Sequence, residues 1–450
     1  MDNIKPWREL ELLLDNNDIE GLRIYLDQLD ADEKVSVMSH ISSDDRVKLI
    51  STIHPEIAAE IVGNIPDVQA VSLFGNLSAK SAAPIISELR SDDQADLLNE
   101  LSDEDADAIM VEMEDEEAAN IRRLIEYGTD TAGGVMITEF LSFEQDMTVD
   151  QVVSELRDNV EKYQDYNVQY IYVTRKGQFS GVLRMRDLLL SKTKTPLSEI
   201  VIKNARTVYD STPIDELINF FKTYDFYGVP VLNDLNQLVG VVLRKDVRET
   251  ETEMANRDLL ETQGIVGGEE LRTMPILLRS RRRLSWLSVN ILLNILAASI
   301  IAIYTDTLQA VIALAVFLPV ISDMSGCSGN QAVAVSLREL ALGVVRPFEI
   351  FRVWVQEVSV GIINGIALGL LIGLVAWLWQ GNIYLGLVVS AALAINTVVA
   401  VSLGGILPLF LKKMKVDPAL ASGPILTTVT DMFGFFLVLS LAGLMMNYLT

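Results

Sequence analysis

Five long apolar runs, at about 284–304, 309–337, 354–379, 383–411 and 425–447, constrain this chain more than any other feature. A helix rises about 1.5 Å per residue, so about 20 apolar residues cross a hydrocarbon core of about 30 Å. A soluble core does not need near-continuous stretches such as VGIINGIALGLLIGLVAWLW. The pattern predicts a transmembrane domain over 281–450 with five helices. The N-terminal MDNIKPWREL lacks the apolar segment of a signal peptide, which predicts a cytosolic start. On that orientation all ten Lys and Arg after residue 275, among them Arg279, Arg338, Arg346 and Lys412, fall on the inner side, as the positive-inside rule expects. The expectation is a multi-pass protein of the cell (inner) membrane, its N-terminus cytosolic and its C-terminus external.

The charge is unevenly spread. Residues 1–275 hold 26 basic and 54 acidic side chains, a net of −28, whereas the remainder is +3. So acidic a front argues against nucleic acid as a partner, because phosphate contacts need basic patches. It suits a solvated domain that meets cations. One cysteine, Cys327, excludes a disulfide framework or a CxxC metal site, and two histidines, His40 and His54, exclude a His-rich centre.

Within the front, residues 29–125 repeat every 12 residues, anchored at Leu29, Ile41, Ile53, Ile65, Leu77, Leu89, Leu101, Met113 and Ile125. Positions five, eight, nine and twelve after each anchor are mostly apolar, the spacing of one helix face. Each unit predicts one short helix, and stacked units predict a helical-repeat domain over 1–128. Acid pairs such as Asp44/Asp45, Asp92/Asp93, Glu104/Asp105 and Glu116/Glu117 are expected in first helical turns, offsetting the dipole beside caps Ser43, Ser91 and Ser102. Some of these carboxylates also suit divalent cations.

Over 129–250 the period changes. VQYIYVTRKGQFSGVLRMRDLL and YGVPVLNDLNQLVGVVLRKDV each read as strand, turn, strand and helix start, and each follows a helical stretch. This duplication resembles a tandem pair of CBS domains, an α/β regulatory module that often binds adenine nucleotides. The resemblance implies ribose contacts from Asp187 and Asp246, whose other reading is helix N-capping. The segment 251–280 reads as a connecting helix broken at Gly267-Gly268, either a transmitter of movement or a passive link.

Ionisable residues inside a span mark a substrate pathway by default. Asp431 lies in GPILTTVTDMFGFF, where Pro424 is expected to open the fifth helix. Asp323 lies in LPVISDMSGCSGNQAVAV, where Ser322, Ser325, Gly326, Gly329, Asn330 and Gln331 break the apolar pattern. Gly404 and Gly405 read more simply as close-packing positions. Two carboxylates with no intramembrane base and no His or Cys ligand point to a hard cation with oxygen ligands. Mg²⁺ fits, since it keeps several waters and needs few direct carboxylates.

The whole chain now resembles the MgtE family of magnesium transporters and channels. The resemblance rests on the domain order and on YGTDTAGGVM at 127–136, SGNQ at 328–331, KVDPAL at 415–420 and P-x6-D at 424–431. It implies a homodimer with one pore at the two-fold axis, lined by spans two and five, where Asp431 of each subunit holds hydrated Mg²⁺ and Asn330 lies in the matching SGNQ; Asp323 would add a second ring of carboxylates that enriches the pore for cations. It implies closure at high internal Mg²⁺ through cations bridging acidic surfaces: Asp92, Asp93 and Asp96, the second-CBS residues Asp225 and Asp246, the connecting ("plug") helix and Asp417, with Phe226 matching the second-CBS segment beside Asp225. ATP at the CBS pair, near Asp187, Asp246 and Phe226, is a further implication. The family's acidic run after the second module is interrupted here by Arg244, Lys245, Arg248 and Arg257, and Asp323 stands where the family commonly has a small residue. No nucleophile–base constellation or phosphate loop suggests an enzyme. The alternatives are a membrane-tethered cation or nucleotide sensor without transport, and a broader Co²⁺/Ni²⁺ conduit.

Overall fold

A computed structural model describes residues 6–163, 166, 169–265, 270–272 and 274–449, apart from the side chains of 31, 32, 420 and 421. Gly267-Gly268 therefore lies outside the described residues. The chain divides into two units, Met1–Glu253 and Met254–Thr450.

The first unit opens with ten short helices, from α1 (Pro6–Asp15) to α10 (Asp115–Ile125); α1 packs on α2, α3 and α4, and from α5 on each helix packs mainly on a helix two places away in the chain. The 12-residue anchors are the joints of this solenoid. Leu29, Ile41, Ile53, Leu101 and Met113 are the extended residues that end a helix, with Ile41, Ile53, Leu101 and Met113 themselves buried in the common core. The acid pairs occupy first turns as expected: Asp44 and Asp45 in α4 (Ser43–Thr52), Asp92 and Asp93 in α8 (Ser91–Glu100). Two caps differ from expectation. Ser42, not Ser43, accepts from the Asp45 amide, because the helix starts one residue earlier than a Ser43 cap would place it. Ser91 sits inside α8; its hydroxyl donates to Glu139 instead. Ser102 caps as expected.

Two three-stranded sheets follow. β1 (Leu141–Glu144) runs parallel to β2 (Tyr170–Arg175), which is antiparallel to β3 (Gln178–Arg184). β4 (Val208–Tyr209), β5 (Gly228–Leu232) and β6 (Leu238–Leu243) repeat this order. The intervening helices are α11 (Val149–Asp158), α12 (Val160–Tyr163), α13 (Met185–Leu190), α14 (Leu197–Ile200) and α15 (Ile214–Thr223). The modules exchange their leading segments: Ile137 pairs with Val241 of the second sheet, and Ile202 with Val182 of the first. A glycine admits each crossing, since a Cβ at Gly240 would lie 2.7 Å from Met136 Cγ, and one at Gly181 2.8 Å from Val201 Cγ2. The duplication read in the sequence is thus a reciprocal pair.

α16 (Arg244–Thr262) starts before residue 251 and stops well short of 280. In the second unit the long helices are α17 (Ile276–Ile303), α19 (Leu314–Ala341), α20 (Ile350–Gln380), α21 (Ile383–Lys413) and α22 (Pro418–Leu444), with short α18 (Thr305–Ala310) and α23 (Met446–Leu449). Among the described residues four are long and apolar enough to cross a membrane, in α17, α20, α21 and α22. α19 falls short because Asp323, four serines, Asn330, Gln331 and Arg338 interrupt it. α22 starts at Pro418 under an Asp417 cap, so Pro424 lies inside the helix rather than at its opening. α20 packs along α21 through Gly361, Gly365, Gly369 and Gly373; a Cβ at Gly365 would stand 2.6 Å from the Ala394 carbonyl oxygen. Gly404, against the Gly329 backbone and Ala332, and Gly405, against Glu357, are packing positions too.

Candidate functional site: an open polar face on two membrane helices

Side chains on α19 divide by helical periodicity. Ser325, Ser328, Gly329, Ala332 and Ser336 are buried against neighbouring helices. Asp323, Cys327 and Asn330, at i, i+4 and i+7, form a stripe on the opposite, solvent-open face. Asp431 of α22 is half-buried beside it, accepts a hydrogen bond from the Ser322 hydroxyl and feels the charge of Asp323. The α22 turn ahead of it satisfies its own hydroxyls: Thr428 Oγ1 donates to the Pro424 carbonyl at 2.7 Å, and Thr430 Oγ1 to Thr427 at 3.0 Å. Behind, fully buried Asn396 of α21 donates to the Thr430 carbonyl oxygen at 3.1 Å. The bonds from Ser322 to Asp431 and from Asn396 to the Thr430 carbonyl emerge only in three dimensions. Glu357, a third carboxylate inside the apolar runs, lies in α20 against Gly405 and escapes the sequence reading.

In the first unit the structure joins Asp92 to Asp246, and the group between them is a guanidinium. Arg90 Nη2 lies 2.8 Å from Asp92 Oδ2 and 2.8 Å from Asp246 Oδ2, and Nη1 donates to Asp246 Oδ1 at 3.0 Å. Both carboxylates are 7% exposed. Burial, then the neighbouring Asp93 charge, push Asp92 up to about 8 although Arg90 pulls the other way. Burial and repulsion from Asp67 and Asp93 push Asp96 up to about 7, and solvent reaches enough of that side chain to screen its effect on stability. The sequence gives no sign of Arg90's partner, 156 residues away.

A pH dependence follows. The native Asp92 pKa exceeds its ordinary value of 3.8, so its contribution is complete below about 4 and is lost as pH rises through about 8. The slope is about 1.4 kcal/mol per pH unit within that window. The denaturation midpoint of the first unit, followed in the full chain, should fall from pH 6 to pH 8, and Asp92→Asn should flatten that fall.

The other residues lie apart from this cluster. Asp225 is fully exposed and paired with Arg244 at 3.0 Å. Phe226 stacks on Tyr224 with ring centres 5.8 Å apart. Asp187, in the first turn of α13, sits 3.3 Å from both Arg184 and Arg186. In the second unit Asp417 hydrogen-bonds to Glu261 and raises its pKa after burial, and it does the same to Asp258 by charge. The cleft between the CBS modules, lined by Tyr170, Tyr172, Tyr227 and Leu243, holds a cavity of about 10 Å³, room for one water. Among the described residues no three His, Cys, Asp or Glu side chains come close enough to hold a metal.

Comparison with known proteins agrees with this layout. The "MgtE intracellular N domain" profile matches residues 12–130, the CBS domain profile 132–192 and 197–252, and the "Divalent cation transporter" profile 318–441. The magnesium transporter MgtE of Thermus thermophilus is 33% identical over 336 residues, covering 73% of each chain. That of Bacillus subtilis is 30% identical over 322 residues, 72% of this chain and 71% of the relative. The crystal structure of the soluble part of a magnesium transporter superposes with a TM-score of 0.51 at 24% identity, over 56% of this chain and 98% of that one. The cytosolic domain of the Mg²⁺ channel MgtE in complex with ATP gives 0.50 at 26% identity, over 54% and 99%. This chain belongs to the MgtE family of magnesium transporters.

Proposed function

We propose that this Mg²⁺ transporter conducts between two copies of the chain, along the open face of α19 and α22. The observation that carries this is the placement of Asp323, Cys327, Asn330 and half-buried Asp431 on a face that one chain leaves uncovered. A carboxylate turned to lipid costs about 2.5–3.5 kcal/mol or more, so such a face belongs against protein or water. One chain supplies two carboxylates there, and a symmetric partner doubles them. Four carboxylates around a water-filled path suit hydrated Mg²⁺, and a C2 axis is the commonest way to present the same patch twice. On this reading α19 is a fifth span: 28 helical residues reach about 42 Å. An odd number of spans places the C-terminus opposite the cytosolic N-terminus, and the basic residues then lie inside. As a conduit, the protein performs no chemical step.

The first unit is the sensor that opens and closes this path. Its acidic patch at Asp92, Asp93 and Asp96, separately Asp225, and in the second unit Asp417 beside Asp258 and Glu261 are where internal Mg²⁺ would bind. Arg90 already bridges Asp92 and Asp246, so part of that cation's work falls to the protein itself. The ATP bound by a relative supports a nucleotide site at the CBS pair, with Asp187 and Phe226 as candidate contacts. Asp246 is held by Arg90 and fits that role less well. The test is Mg²⁺ flux into proteoliposomes for wild type and Asp431→Ala. Loss in the variant supports the path, and retained flux from a folded dimer refutes it.

A further inference from the structure

Asn396 is a buried amide in the membrane unit, 0% exposed, on a helix otherwise lined by Leu393, Thr397 and Ala400. Its Nδ2 donates to the Thr430 carbonyl oxygen at 3.1 Å, while its Oδ1 has no hydrogen-bond partner among the described residues. Burying a half-satisfied amide is costly, and an apolar residue of the same size would avoid that cost. The contact exists because residue 434 is glycine: a Cβ there would stand 2.6 Å from Asn396 Nδ2. Thr430 O is the carbonyl of the peptide whose N–H belongs to Asp431. From the other side, the Ser322 hydroxyl of α19 donates to the Asp431 carboxylate.

We infer that Asn396, admitted by Gly434, is a positioning residue for the ion path: it fixes the rotation of α22 so that Asp431 faces the open side. Successive helical residues point about 100° apart, so a bond to the carbonyl of residue 430 sets the direction of residue 431. Asn396 touches no ion; it acts through Asp431. The inference rests on the reading of Asp431 as part of the path.

The test is a double-mutant cycle on flux through the full-length dimer in proteoliposomes, with Mg²⁺ as the probe. Asn396→Ala should raise the half-saturating Mg²⁺ concentration about fivefold or more, and Gly434→Ala should do the same, since its methyl displaces the amide. Asn396→Leu fills the same space without a donor and should match Asn396→Ala. The double variant should be no worse than Asn396→Ala, because the methyl then meets no amide. Lower thermal stability with unchanged half-saturation, or additive shifts in the double variant, would overturn the proposal and leave Asn396 a packing residue. Asp431→Ala separates the two readings. Flux surviving it overturns the path and the proposal together; flux lost there but indifferent to both other changes overturns Asn396's role alone.

Discussion

Asp431→Ala should lower Mg²⁺ flux at least about 100-fold, and Asp431→Asn should do nearly as much. A hydrogen bond to a charged group is worth about 1.5–3 kcal/mol, and the proposed C2 dimer would lose two, so about 3–6 kcal/mol would disappear from the stabilised ion. Each 1.4 kcal/mol is a factor of ten. The Asn variant keeps shape and hydrogen bonding, so its loss isolates the charge. Asp323→Ala should cost less, on the order of tenfold, because Asp323 is exposed and has no hydrogen-bond partner among the described residues, whereas Asp431 is half-buried and fixed by Ser322. Initial rates of Mg²⁺ uptake, normalised to folded dimer, measure all three.

Arg90→Ala should convert a partly self-bridged sensor into a cation-dependent one. Removing one partner of a buried pair costs about 3–5 kcal/mol when the survivor is dry. Arg90's side chain is 34% exposed, so the cost here is nearer the low end. It leaves the buried Asp246 carboxylate without its guanidinium partner and with Asp92 against it. The variant's first unit should be less stable without divalent cation and should regain more stability than wild type as Mg²⁺ is added. Flux should then fall more steeply with internal Mg²⁺. Denaturation midpoints with and without Mg²⁺, and flux against internal Mg²⁺, follow both effects; equal Mg²⁺ responses in wild type and variant would contradict them.

The parts legible in the sequence were those with a short period. Twelve-residue anchors, alternating strands and apolar runs repeat locally, so the helical repeat, the duplicated CBS module and four of the five expected membrane-length apolar helices follow from them. Local chemistry misled by a residue or a turn where two residues compete for one role. Ser42 and Ser43 both suit a cap, and Pro424 suits a helix start that Pro418 already supplies. Long-range pairs left no local trace. Arg90 with Asp246 spans 156 positions and Ser322 with Asp431 spans 109, and neither spacing carries a period. Glu357 was hidden for the opposite reason: it stands near the end of an apolar run, where a carboxylate reads as a boundary.

Cys327 offers the most direct test of the central claim, because it is the chain's one cysteine and lies between Asp323 and Asn330 on the open face. A short bis-maleimide applied to unmutated protein in liposomes should link two chains through Cys327, and Mg²⁺ should slow labelling of the same thiol by a charged reagent. If intact dimers give no link, and Cys327 reacts only with reagents dissolved in the lipid, the polar face does not meet its copy and the path between two chains is refuted.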